Sequence, residues 1–426
     1  MRAVRRTISL FTGVGGLDVG LEAAGFGVAV AVEIDREAVH AIRKNRDWTV
    51  IENDGRPLPI ERIPSKTLLK VGHLGVGEAA LLVGGPPCQP FSKSGYWAAG
   101  DARRLDDPRA GTLRHFFRVL RDTLPEAFIL ENVPGLKYEG KDEGLQYLRR
   151  KLQAINRETG SKYVAEVAQL NAAHYGVPQM RERVFVVAHR EGRRFRFPPP
   201  THVDPDKCDQ LSHTCFRVAW DAIGDLEADD DPSLRVTGKW ADLLPTIPAG
   251  QNYLWHTNRG GGLPLFGWRT RYWSFLLKLA TDRPAWTLQA QPGPAIGPFH
   301  WKNRRLSARE MCRLQTLPDD FTVPTRLRVA QRLLGNAVPA ALAEFLGKEI
   351  LRQFFDESVD RSLVLLPQRV FPREETDEPI PVPAKYLNKV RRYAAHPGTG
   401  LGPAARKWRK SAGSGRTAIR GGQRRK

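Results

Sequence analysis

Short apolar runs alternate with amphipathic stretches along the first two hundred residues. Thr7-Ile8-Ser9-Leu10-Phe11, Val28-Ala29-Val30-Ala31-Val32, Thr49 to Glu52, Leu81-Leu82-Val83 and Ala127-Phe128-Ile129-Leu130 read as buried strands. Between them, Leu17 to Ala24 (closed by Gly25) and 36–45 read as helices. Residues 111–123 carry Leu113, Phe116, Phe117 and Leu120 at i, i+3, i+4 and i+7, which predicts a helix with one apolar face. Late strands are expected at 163–170 and 183–188, around a Gly176–Arg183 loop. Strands alternating with helices predict an α/β fold with a mostly parallel sheet covered on both faces. From about residue 191 the alternation gives way to Pro198-Pro199-Pro200, scattered Trp and Gly260-Gly261-Gly262, a texture of loops. Helical pattern returns at 307–317, with Ser307 as N-cap and Glu310 three residues on, and at 338–354. The expected organisation is a domain over 1–190 completed by 304–355, a smaller loop-rich domain over 191–303, and a linker and unstructured tail over 356–426. The Asp/Glu/Pro mixture at 372–383 forms the linker.

Charge refines this picture at one end. The chain of 426 residues has a net charge of +20, and from Ala384 to Lys426 there are 13 Lys/Arg and no Asp/Glu. Without that tail the balance is +7, so the body is only moderately basic. A polyanionic partner is the natural reading. No apolar run approaches the roughly 20 residues that span a bilayer. Ile8 to Phe11 is too short for a signal-peptide core and leads straight into a glycine loop, and the cysteine pattern is the one expected of a cytosolic protein. Cys88, Cys208, Cys215 and Cys312 are sparse and lack framework spacing, so reduced thiols are expected. His202, Cys208, His213 and Cys215 match no metal-site spacing, and no metal is expected.

Two strand ends carry candidate chemistry. Leu81-Leu82-Val83 runs into Gly84-Gly85-Pro86-Pro87-Cys88-Gln89-Pro90-Phe91-Ser92, and forty-three positions after Cys88 the next run ends in Glu131-Asn132-Val133-Pro134. A thiol and a carboxyl group at neighbouring carboxyl edges suit covalent catalysis, one attacking and the other protonating or polarising the substrate. Phe11-Thr12-Gly13-Val14-Gly15-Gly16 lies between a strand and a helix, where glycines let a ligand approach the backbone. Glu33 ends the second strand, where an acid can accept from ribose hydroxyls, and Asp54 after the third could hold an adenine amino group. The loop departs from the dinucleotide fingerprint, which favours an adenosine without phosphates. In Gln179-Met180-Arg181-Glu182-Arg183, two Arg at i, i+2 point to one side if the segment is extended, as a grip for an anion or carbonyl oxygen.

Taken in order, these elements resemble the DNA (cytosine-5) methyltransferases of prokaryotic type. Phe11–Gly16 is similar to the family's cofactor loop, Pro87-Cys88-Gln89 to its nucleophile motif and Glu131-Asn132-Val133 to its acid motif. Gln179, Arg181 and Arg183 match its Gln-x-Arg-x-Arg element. Arg305-Leu306-Ser307-x-Arg309-Glu310 with Leu317-Pro318-Asp319 matches the element that supports its recognition domain, and Gly335-Asn336-Ala337-Val338-Pro339 its closing motif. The resemblance implies a Rossmann-like S-adenosylmethionine-dependent domain with a target-recognition domain. It implies cofactor contacts from Phe11, Gly13, Gly15, Gly16, Glu33, Ile34, Asp54, Leu113, Asn336 and Ala337. It also implies catalysis by Cys88, Glu131, Arg181 and Arg183, with Gln89, Ser92, Asn132 and Gln179 at the substrate. Ile34 stands where many members have Trp, and Ala337 where some have Ser, so those contacts are apolar here.

On that reading Cys88 adds to cytosine C6, Glu131 holds N3 and the exocyclic amine, Arg183 steadies O2, and C5 takes the methyl group. Pro90 to Asp107 is the expected closing loop. Trp240, Asn252, Trp255, His256, Asn258, Arg259, Arg269, Arg271 and Tyr272 are candidates for base and phosphate contacts. The implied partners are double-stranded DNA and a cognate restriction endonuclease, with no membrane, for a monomer. RNA cytosine methylation and a non-catalytic DNA-binding regulator are the alternatives. The long 191–303 segment favours duplex DNA, and the intact Cys88, Glu131, Arg181 and Arg183 set disfavours a regulator.

Overall fold

A computed structural model describes residues 4–87, 111–134, 143–208, 214–226, 231–268, 270–369, 371–373 and 375–391. Cys88, Gln89, Ser92, the 90–107 loop, Arg269 and the tail past 391 therefore lie outside the described residues. The main element is a six-stranded sheet. Its strands are β1 (Arg5–Leu10), β2 (Phe26–Val32), β3 (Leu81–Gly84), β4 (Ala127–Asn132), β5 (Glu166–Asn171) and β6 (Glu182–His189). They lie in the order β2-β1-β3-β4-β6-β5. The first four are parallel, and β6 runs antiparallel to both β4 and β5. The expected third strand is reduced to a bridge, Ala31 to Val50. It is followed by a short hairpin of Glu52–Asn53 against Arg56–Pro57.

Strict alternation of side chains splits the sheet into two apolar faces. Leu81, Val83, Ala127, Ile129, Phe185 and Val187 pack with α1 (Gly16–Ala24) and a long C-terminal helix, Ala340–Phe354. Leu82, Phe128, Leu130, Val186 and Ala188 face the other way. They meet residues of α3 (Ser65–Val71), α4 (Gly111–Thr123) and α5 (Glu143–Thr159). Further helices are α2 (Arg36–Asn45), α6 (Ala308–Leu314), α7 (Leu327–Asn336) and α8, the Ala340–Phe354 helix, with short helical turns at Ala219–Ile223 and Ala384–Leu387. Ser307 and Glu310 close α6 with the reciprocal capping box that their spacing predicts. Among the described residues no helix is long and apolar enough to cross a membrane.

The chain divides into two compact units whose borders differ from those read in the sequence. The first contains residues up to Leu234, Ala280–Pro292 and Leu306–Glu374; the second contains Arg235–Leu279, Gly293–Arg305 and the chain from Glu375. Residues 191–234 thus belong with the sheet. Residues 375–391, expected as linker and loose tail, are built into the second unit. There Ile380 N–H donates to Pro245 O, and Tyr386 is buried with its ring stacked on Trp240, 5.8 Å between centroids. The reason is chemical: one large aromatic in a basic stretch found an aromatic cluster of Trp240, Tyr253, Phe266 and Phe275. A second correction concerns the cysteines. Cys208 and Cys215 form a disulfide, their Cα atoms 5.5 Å apart, because His202–Val203 and Thr214–Cys215 pair as short strands. Only Cys312, buried, is a free thiol among the described residues.

Candidate active site

Strand order reverses between β1 and β3, and the carboxyl ends at that switch point line a cavity of about 560 Å³. One lobe lies at the end of β2. Glu33 is buried there and accepts three backbone N–H bonds, from Gly13 (2.6 Å), Ile34 (2.8 Å) and Asp35 (2.7 Å). Burial pushes its carboxyl up, and those three donors oppose the shift. Gly13 has φ +57, and a Cβ there would meet nothing within 4 Å, so the glycine leaves open space on the cavity side. Phe11 shares the left-handed region at φ 57, which for a residue with a Cβ costs roughly 1–3 kcal/mol. Ile34 is exposed beside them, and Asp35 is paired with Arg332 of α7, which outweighs burial and holds its carboxyl below the ordinary range.

The other lobe lies at the ends of β3 and β4. Glu131 Oε1 stands 2.8 Å from Arg183 Nε, and both side chains are largely buried. Burial raises the Glu131 carboxyl, against the charges of Arg183 and Arg181. Gly85 leaves room for this carboxylate, since a Cβ there would come within 2.8 Å of Glu131 Oε2 and displace it. Asn132 joins the two strand ends, donating to Pro86 O (3.5 Å) and accepting from Val133 N–H (2.7 Å). Pro86 and Pro87, which lead to Cys88, line the cavity, as do Asn336 and Ala337.

Several expected residues sit elsewhere. Asp54 and Gly55, both at positive φ, form the turn of the Glu52–Pro57 hairpin, and Asp54 is exposed to solvent off the cavity. Leu58 to Glu61 provide that wall instead, held by Arg118 of α4 through Ile60 O (2.9 Å) and Ile63 O (3.0 Å). Leu113 is buried in the core beneath the sheet, and its neighbour Thr112 reaches the cavity. Gly15 packs under Trp48, whose ring would lie 2.6 Å from a Cβ. Gly16 lines the cavity and also packs closely on Val338 O.

Gln179, expected at the substrate, is fully buried. Its amide donates to Leu314 O (3.0 Å) and accepts from Leu288 N–H (3.2 Å). Arg181 is buried too, and its charge, like that of Arg183, acts on Glu131. It donates to Leu288 O (3.3 Å) and Gly335 O (2.7 Å), which fixes the chain just before Asn336. In the second unit, Asn252 donates to Trp273 O, and His256 is hydrogen-bonded to Thr246 and Leu263 O, so both hold loops together. Asn258, Arg259, Arg271 and Tyr272 are exposed, while Trp240 and Trp255 are half-buried.

Sequence reading missed Asp18, which is buried on α1 and lines the cavity. The signal was available: it is the single charge in Gly16-Leu17-Asp18-Val19-Gly20-Leu21, a helical turn that is buried on every side.

A glycine loop with a ribose-type acid and a buried carboxyl–guanidinium pair at adjoining strand ends is the constellation the sequence resemblance implies. The family model for C-5 cytosine-specific DNA methylases matches residues 5–352. The chain belongs to that family. It is 42% identical over 372 residues to the Type II methyltransferase M.SacI of Streptomyces achromogenes, covering 81% of this chain and 92% of the relative. M.AquIA of a Picosynechococcus species, also a Type II methyltransferase, is 38% identical over 56% of this chain and 97% of its own length. Among solved structures, an Escherichia coli prophage-encoded protein assigned as a DNA modification methyltransferase superposes with a TM-score of 0.56. It has 23% identity and covers 83% of this chain and 100% of its own, a likeness in fold. The chain is thus an enzyme of the DNA (cytosine-5) methyltransferase class, built on the methyltransferase α/β fold.

Proposed function

We propose that this enzyme transfers a methyl group from S-adenosylmethionine to C5 of a cytosine flipped out of a specific double-stranded DNA sequence, through an adduct of Cys88 Sγ with C6. The observation that carries this reading is the buried Glu131–Arg183 pair in the same cavity as the Glu33 carboxylate. The cavity suits the cofactor. Glu33 is held rigidly for ribose hydroxyls, Gly13 leaves room at the backbone, Ile34 offers an apolar face, and Asp18 Oδ1 is buried with no hydrogen-bond partner among the described residues. The bound cofactor supplies an electrophilic methyl group.

The protein's residues do the rest. Cys88 follows Pro87, a residue of the cavity wall, and attacks C6 as the thiolate. Glu131 holds N3 and the exocyclic amine, and protonation or hydrogen bonding at N3 makes C6 electrophilic. Arg183 stabilises charge at O2, and Arg181 holds the Leu288 and Gly335 backbone behind the site. Loss of the C5 proton then expels Cys88. Flipping the base costs roughly a few kcal/mol, which contacts to the flipped nucleotide offset. Asn258, Arg259, Arg271 and Tyr272, exposed on the second unit, are the proposed DNA contacts. A cognate restriction endonuclease, action as a monomer and a cytosolic setting complete the reading.

The adduct has a direct test. Fluorine at C5 cannot leave as a proton, so DNA copied with 5-fluorodeoxycytidine triphosphate should trap the wild-type protein in a denaturation-stable complex that needs S-adenosylmethionine. Cys88→Ala should form none. A complex that persists in Cys88→Ala, or a wild-type protein that binds DNA and cofactor yet traps nothing, would contradict the mechanism.

A further inference from the structure

Asp18 is an acid that has no counter-charge among the described residues. It lies in the first turn of α1, 1% exposed, and among the described residues its Oδ1 accepts no hydrogen bond. Burial raises its carboxyl to about 7, against a hydrogen bond from Ser9 and with added repulsion from Glu22 one turn on. A buried acceptor left unpaired is costly, and such groups ordinarily find a partner. Asp18 nevertheless lines the cavity, together with Ser9, Leu17, Gly84 and Gly85.

Its place along the sheet identifies the partner. In the order β2-β1-β3-β4, Glu33 ends β2, Glu131 ends β4, and Asp18 follows β1 between them. A ligand with its ribose on Glu33 and its methyl group directed at a base beside Glu131 must cross the end of β1. Of the two cationic centres in S-adenosylmethionine, the sulfonium has no N–H or O–H to donate. The α-ammonium has three N–H donors, and an orphan carboxylate oxygen accepts one. We infer that Asp18 is the residue that binds the α-ammonium of the cofactor's amino-acid tail. This rests on the cofactor reading above and adds a residue to it.

Truncated ligands separate that role from a structural one. S-adenosylhomocysteine keeps the ammonium and lacks the sulfonium; 5′-methylthioadenosine has neither. Calorimetric titration of the full chain with all three ligands at pH 8 is the experiment, for wild type, Asp18→Asn and Asp18→Ser. A charged hydrogen bond of ordinary strength predicts that both variants lose about tenfold or more in affinity for S-adenosylmethionine and S-adenosylhomocysteine alike. Their affinity for 5′-methylthioadenosine should change by less than about twofold, which also shows that the variants are folded. An equal loss for all three ligands would make Asp18 a structural residue and overturn the assignment. A loss confined to S-adenosylmethionine would move the carboxylate to the sulfonium and overturn it as well. A wild-type protein that binds none of the three would overturn the cofactor reading itself, and this assignment with it.

Discussion

Asp18 and Glu131 are both carboxyl groups removed from water before any substrate arrives, but among the described residues Glu131 has a cation beside it and Asp18 has none. The difference shows in stability. In the unfolded chain Asp18 titrates near 3.8, and in the fold near 7. Between those values the fold keeps a proton that the unfolded chain has released, so stability falls as pH rises across the window and stays low above it. Asn at 18 cannot ionise. The ligand-free Asp18→Asn protein should match wild type near pH 4 and exceed it at pH 8, by on the order of a few kcal/mol at most. Urea unfolding at the two pH values measures this, and parallel pH curves would show that Asp18 does not ionise at a cost in the fold. Single residues were legible where chemistry and position agreed. Glu33 and Glu131 end strands that their apolar runs announce. Asp54 misled because an Asp-Gly pair is also the favoured turn of a two-residue hairpin, and its positive φ shows that the turn won. Arg181 and Arg183 were expected on one side. Both act on the Glu131 carboxyl, Arg183 as its ion partner and Arg181 from a buried position where it also holds the Leu288 and Gly335 carbonyls.

At the level of elements, the glycines of α1 serve helix packing. A Cβ on Gly20 would lie 2.1 Å from Ala340 O and 2.7 Å from Glu344 N, which are backbone atoms of α8 that cannot swing aside. Gly20→Ala should therefore separate α1 from α8 and destabilise the protein by about 1–3 kcal/mol or more. A drop of that size in the denaturation midpoint with an unchanged slope is the expected result; a neutral effect would mean that the two helices part freely. The strands and long helices of the sheet were readable because their periodicity is strong and their caps explicit, as at Ser307 and Glu310. The third strand was over-read. Only Val50 bridges to β2, while Thr49 and Ile51 add hydrogen bonds to Ala31. Gln179 was assigned to substrate on its motif, yet its amide is consumed by Leu314, Gln315 and Leu288. Nothing local in the sequence reveals a partner more than a hundred residues away.

For the whole molecule, composition separated body from tail, and the structure moves the dividing line. Tyr386 belongs to the aromatic cluster of the second unit, so a truncation at Ala384 would damage that unit. Residues 392–426 carry ten Lys/Arg and no Asp/Glu. Deleting them should leave the melting temperature unchanged, weaken DNA affinity and flatten its dependence on salt, because fewer counterions are released. Binding isotherms at several salt concentrations test this, and an unaltered slope would remove the tail from the DNA interface. The borders of the second unit were hidden from sequence because the chain enters it three times, and composition does not mark each crossing.

Methyl transfer to cytosine C5 through Cys88 is the claim on which the rest depends. Bisulfite sequencing of DNA from cells that express this chain, beside cells that express Cys88→Ala, reads it most directly. The account predicts cytosines protected from conversion within one short recurring sequence in the wild type, and none in the variant. No protection from a wild-type protein that folds and binds S-adenosylmethionine, or protection that survives the loss of Cys88, would contradict it.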